Sequence, residues 1–158
     1  MTKRVLSLLL LVTGLFLVAG CVNFEGPKAV YRDYAISRIT AEGIEVNFLF
    51  DVTNPNPIDL TVNQYAYKVT INGKALLDEN RPGFTMTANQ KKELAIPVLV
   101  RYDAVFGSLL SVIQRVAAGN RDVDYQIDGS ISASSFGIAV SSPLSSSGKF
   151  KLPENIKF

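Results

Sequence analysis

One thiol and no imidazole limit what this chain can do chemically. Its 158 residues contain a single cysteine, Cys21, and no histidine. Ser-His-Asp and Cys-His nucleophiles, the usual zinc sites and a histidine pH switch are therefore excluded together. Serines are plentiful but have no imidazole base beside them, and no Gly-rich phosphate loop of the P-loop type is present. Carboxylates remain: Asp78 adjoins Glu79, and the spacing of Asp122 and Asp124 puts both on one face of a strand. A glycosidase needs two such groups across a cleft. Arg121 beside Asp122, at the start of a strand, instead indicates solvated loop charge. Tyr65, Tyr67, Tyr102 and Tyr125 could stack on a sugar or a peptide, although rings of this kind are more often core or rim aromatics. The expectation is a non-enzymatic protein with no metal and no cofactor.

The thiol has a more definite setting. Lys3 and Arg4 precede an apolar run from Val5 to Val18, which is followed by Ala19, Gly20 and then Cys21. A charged start, an apolar stretch and small residues at the end have the form of an export signal over residues 1–20. As a helix the run would span about 21 Å, short of a hydrocarbon core of ~30 Å, so a signal peptide is favoured over a permanent span. The local pattern Val18-Ala19-Gly20-Cys21 resembles the bacterial lipobox. That resemblance implies peptidase recognition through Val18, Ala19 and Gly20, cleavage before Cys21, and a diacylglycerol on its sulfur. Thiolate nucleophilicity suits such a transfer, and two acyl chains give stable anchoring. Val22 follows the cysteine; where Asp at that position retains lipoproteins at the inner membrane, its absence implies an outer-membrane location facing the periplasm in a Gram-negative source.

Cleavage leaves 138 residues, enough for one domain with a core. Loss of Lys3 and Arg4 leaves fourteen cations against fourteen anions, so no basic excess attracts nucleic acid. With its one cysteine lipidated the chain forms no internal disulfide, and its stability must come from the core.

The elements that must carry these residues are mostly strands. Residues 21–29 mix Gly, Pro and polar side chains and read as a lipidated tether. Period-two alternation then dominates: Ile44, Val46, Phe48, Phe50 and Val52 share one face, as do Tyr65, Tyr67, Val69 and Ile71. Asn72-Gly73 is a type I′ hairpin signal, with a return strand through Lys74 to Leu77. Leu94 to Tyr102 and Val123 to Ile131 alternate too. Pro97 predicts an edge strand or a bulge, and the second pattern runs through Asp128-Gly129 as a continuous strand. From Asp103 to Gly119 the apolar residues recur every three or four positions, which predicts one helix of about four turns capped by Asp103 and ended by Gly119-Asn120. Nine serines between Ser130 and Ser147 alternate with Ile131, Phe136, Ile138, Val140 and Leu144, as on half-solvated strands. Phe150 and Leu152 should face inward on a closing strand. The prediction is an all-β fold: an antiparallel β-sandwich of about seven strands with one inserted α-helix, over residues 30–152, followed by a short tail, residues 153–158.

The segment FDVTNPNPIDLTVNQYAYKVTING, Phe50 to Gly73, resembles the signature of the late-embryogenesis-abundant type 2 family, also described as the water-stress and hypersensitive-response (WHy) domain. The match runs through Asn54, Pro55, Asn56, Pro57, Ile58, Leu60, Val62, Tyr67, Val69, Ile71, Asn72 and Gly73. The prolines fix φ and remove donors, which ends one strand without starting a helix, and the asparagines can bond the backbone groups left unpaired. A rigid corner explains the motif without a ligand. The resemblance implies a fibronectin type III-like sandwich, no catalytic residues to carry over, and a role in desiccation or osmotic stress; taken with the lipobox it gives the expectation of envelope proteins or lipid surfaces as clients. An envelope adaptor that holds a protein partner by a sandwich face or edge is the alternative.

Overall fold

Strict alternation produces the central strand of the first sheet. In the computed structural model, which describes residues 24–154, β2 (Gly43–Thr53) buries Ile44, Val46, Phe48, Phe50 and Val52 completely. Each such side chain contributes ~1.5–3 kcal/mol over leaving it in water. β2 is flanked by β1 (Lys28–Ile39) and β5 (Lys91–Arg101) to give the sheet order β1-β2-β5. The second sheet is built from β3 (Leu60–Ile71), β4 (Lys74–Met86), β6 (Asp122–Ser135) and β7 (Ile138–Pro143), in the order β4-β3-β6-β7. The last strand, β8 (Ser146–Lys151), also pairs with β6. All pairings are antiparallel. The predicted β-sandwich is present, with eight strands among the described residues.

The 14-residue β6 organises the second sheet. Residues Asp122 to Ile127 pair with β8, and residues Ser130 to Ser135 pair with β7. It runs through Asp128-Gly129 without a turn, as the alternation indicated. A Cβ at Gly129 would overlap the Ala66 carbonyl of β3, so only glycine lets the two backbones approach this closely. Aromatic rings join the sheets. Phe48 lies 4.7 Å from Tyr125 and 6.2 Å from Phe150, and Tyr31 lies 5.7 Å from Tyr125, as ring centroids.

The structure differs from the sequence reading in four places. The single predicted helix is two: α1 (Tyr102–Phe106) and α2 (Leu109–Ala117). Gly107, at φ 86°, breaks the ladder between them, and the Ser108 side chain caps α2 by accepting from the Ser111 amide at 3.1 Å. Asp103 does not cap α1; it pairs with Arg101, which holds its carboxyl below the usual carboxylate range. The alternation gives no sign of β1. β4 continues past Leu77 to Met86, where Gly83 passes so close to Val62 that a Cβ would overlap its carbonyl. Phe136 and Ile138 do not face the core: they stand on and beside the β6–β7 turn, 88% and 54% exposed.

Candidate functional site: the asparagine-clamped pole

The sandwich has two ends of different character. At one, the β3–β4 hairpin turns through Asn72 and Gly73, at φ 47° and 75°, near the helical connection: Lys74 donates to the Ala104 carbonyl and the Tyr102 amide to that of Glu42. At the other end the β2–β3 corner, residues 54–59, meets the β4–β5 turn, the β6–β7 turn and the incoming chain before β1.

The corner works through two buried amide side chains. Pro55 and Pro57 leave their positions without N–H groups and keep the chain extended. Asn54, fully buried, donates from Nδ2 to the carbonyls of Ile58 at 2.9 Å and Thr87 at 3.1 Å. Its Oδ1 accepts from the Asn56 amide and from Asn56 Nδ2, both at 3.0 Å. Asn56, 3% exposed, uses its amide as a strand uses its backbone: Nδ2 donates to the Glu25 carbonyl at 2.7 Å, and Oδ1 accepts from the Glu25 N–H at 2.9 Å. The backbone joins in, with Asn54 N–H donating to the Gln90 carbonyl and Asn89 N–H to that of Asn56. Asp59 accepts from the Ala88 amide through its side chain and from Ser135 Oγ through its carbonyl. Neither asparagine keeps a free donor. What the corner holds is the protein's own chain.

The segment held includes the described part of the expected tether. Phe24 packs against the core, Pro27 is buried, and Gly26 lies against Val140 and Ser142 of β7. Cys21, Val18, Ala19 and Gly20 lie outside the described residues. Among the described residues no helix is long and apolar enough to cross a membrane.

The enzyme-like candidates do not converge. Glu79 accepts from the Tyr67 hydroxyl at 3.1 Å and pairs with Arg81, while its neighbour Asp78 is exposed. Asp122 and Asp124 are both exposed at the start of β6, and Asp124 lies 3.7 Å from Lys149. Ser146 and Lys149 have a spacing that on a helix would bring hydroxyl and amine together. On β8 the two residues face opposite sides, and Ser146 Oγ lies 3.2 Å from the Tyr125 hydroxyl. Tyr67, Tyr102 and Tyr125 are buried, and Tyr65 is stacked on Tyr67 and edge-on to Phe84, so no open aromatic platform forms. Among the described residues no three acidic side chains gather as a metal would require.

Three features of the pole were missed from sequence: the docking of Phe24 and Glu25, the reach of the corner to residues 87–90, and the outward Phe136. Only the last left a signal, the Ser-Phe-Gly turn composition within a serine-rich alternation.

Comparison with known proteins bears on the whole arrangement. No curated protein matches the chain significantly. Among solved structures, the solution structure of a candidate late embryogenesis abundant protein is similar at 21% identity and TM-score 0.62, covering 99% of this chain and 89% of that one. A protein from Arabidopsis thaliana aligns at 22% identity and TM-score 0.57, over 86% of this chain and 89% of its own. An ApaA-type protein from Bordetella pertussis reaches TM-score 0.54 at 9% identity, over 82% of this chain and 94% of its own. At these identities the likeness establishes the fold. The family model described as late embryogenesis abundant protein matches residues 49–148, from within β2 to β8 and through the asparagine corner, and the chain belongs to that family, LEA type 2.

Proposed function

We propose that this chain is a non-enzymatic lipoprotein of the cell envelope, held in the membrane through lipid on Cys21, whose WHy-type domain protects neighbouring proteins or lipid surfaces when water is scarce. The observation that carries the reading is the order of Lys3, the apolar run, Val18-Ala19-Gly20 and Cys21 directly ahead of a domain of a stress-associated family. The clamp at Asn56 supports it, because a domain docked a few residues after its anchor stays at the bilayer. Val22 after the cysteine favours the outer membrane with the domain in the periplasm, if the source is Gram-negative.

Metabolic labelling with palmitate followed by envelope fractionation tests the anchor. Label is expected in the membrane fraction and absent from Cys21→Ala; an unlabelled, soluble wild-type chain overturns it. Deleting the gene should lower survival after drying and after hyperosmotic shock. Unchanged survival under both would remove the protective role and leave the anchor standing.

A second reading, an adaptor, has one observation in its favour. Where the edges of β4 and β5 approach, a shallow groove of about 420 Å³ sets Leu76, Leu77 and Leu99 beside the charged Glu45, Glu79 and Arg101. Cross-linking in cells separates the two: one dominant stoichiometric partner means an adaptor.

A further inference from the structure

We propose that the β6–β7 turn is a membrane wedge, a non-covalent contact that seats the asparagine-clamped pole on the lipid surface, with Phe136 and Ile138 entering the headgroup and upper acyl region. The inference rests on the anchor reading above and adds an orientation to it.

The turn is built in an unusual way. Phe136 has φ 48° and Gly137 φ 80°, both in the left-handed region. The other described non-glycine residues there are Asn72 and Asn89, the type that tolerates it. A bulky aromatic at such a position is a genuine outlier, and at 88% exposure Phe136 gains nothing from the core. A residue that is strained in the backbone and wasted in the fold needs another partner. Ile138, half-exposed next to the turn, gives that partner a second apolar contact.

Position on the molecule identifies the partner. Ser135 Oγ donates to the Asp59 carbonyl and Ser134 pairs with Thr61, so the tip stands beside the corner. The corner fixes Glu25, and Gly26 lies against Val140 and Ser142, on the strand that leaves the tip. Only Val22 and Asn23 separate Phe24 from Cys21, a reach of about 10 Å even when fully extended. A lipid on Cys21 therefore brings this pole, and no other, to the bilayer. The nearby charges are balanced: Lys28 pairs with Glu25 and Lys91 with Asp51. With no cation excess the contact is apolar, and neutral lipid suffices. Leu110 and Ile113, also exposed, lie on α2 near the opposite pole and point to no lipid.

The chain has no tryptophan, so Phe136→Trp places a single indole on the tip. The full lipoprotein, extracted from cells and reconstituted in phosphatidylcholine vesicles, is floated on a density gradient and its indole emission read with and without acyl-brominated lipid. The expected result is flotation, a blue-shifted emission, strong bromine quenching and no effect of high salt. Leu110→Trp, the distal control, should keep a solvent-like, unquenched emission. A floating Phe136→Trp protein whose tip indole gives a solvent-like signal overturns the wedge and leaves the anchor. A blue shift already present without vesicles, growing with protein concentration, means a second copy covers the tip and overturns the wedge. Failure to float overturns the anchor and the wedge with it.

Discussion

Asn54 and Asn56 do different jobs with the same side chain. Asn54 bonds the backbone of its own corner and of the β4–β5 turn from a fully buried position. Asn54→Ala leaves the buried Asn56 amide without its partner, at ~1–3 kcal/mol for a stranded buried group, while the half-buried Ile58 and exposed Thr87 carbonyls can turn partly to water. A loss of about 2 kcal/mol and a fall in melting temperature of roughly 7 °C are expected by calorimetry. Asn56→Ala should cost less, because Glu25 is exposed and water can replace the lost bonds. Its signature is faster hydrogen exchange at the Glu25 amide with the core amides unchanged. The Asn-Pro-Asn-Pro motif was legible as a strand break because proline acts on its immediate neighbours. That Asn56 also fastens Glu25, 31 residues earlier, and Asn54 reaches Thr87, 33 residues later, was not, since a side chain's distant partner leaves no local trace.

Strands were legible in proportion to the regularity of their pairing. β2 pairs with β5 from Gly43 to Thr53 without a shift, and its alternation reads directly. β1 has bulges between Tyr31 and Asp33 and between Ile36 and Arg38. Each extra residue reverses which parity faces inward, from Tyr31 to Tyr34 and Ile36 and then to Ile39, so period two never persists long enough to register. The second half of β4 failed for another reason: its sequence DENRPG carries little apolar signal to alternate. The helical stretch kept its apolar period through Gly107, which breaks hydrogen bonding without interrupting hydrophobicity. β5 makes the edge of its sheet, and Pro97 lies opposite Asn47 in an unbroken register. Its missing N–H must therefore point away from β2, leaving a gap in the row of donors that an incoming strand would need. Pro97→Thr restores that donor on an exposed edge. Static light scattering at rising concentration should show association of the variant with its melting temperature nearly unchanged; an equally monomeric variant would show that the proline guards nothing.

For the whole molecule the tyrosine hydroxyls in and beside the core set the response to alkaline pH. Burial pushes the Tyr31, Tyr67 and Tyr102 hydroxyls above their ordinary value. Below about pH 10 these phenols are protonated in both folded and unfolded chains and the stability they support is intact. Above it the unfolded chain ionises first, so stability falls as pH rises toward the folded values. With no imidazole to titrate near neutrality, melting temperature should be nearly flat from about pH 6 to 9 and drop steeply above about 10, as read by circular dichroism. A steady decline beginning near pH 7 would contradict this account. Sheet order has a consequence in time as well as in space. The central strand β3 must find β6, whose first half must find β8, and Leu152 closes the end by donating its N–H to the Arg121 carbonyl and accepting from the Arg121 guanidinium. The second sheet therefore stays incomplete until β8, the last of the described strands, has been synthesised. Distant pairings of this sort assemble over milliseconds to seconds, an interval in which the open edges of β3 and β6 are bare to any other strand they meet.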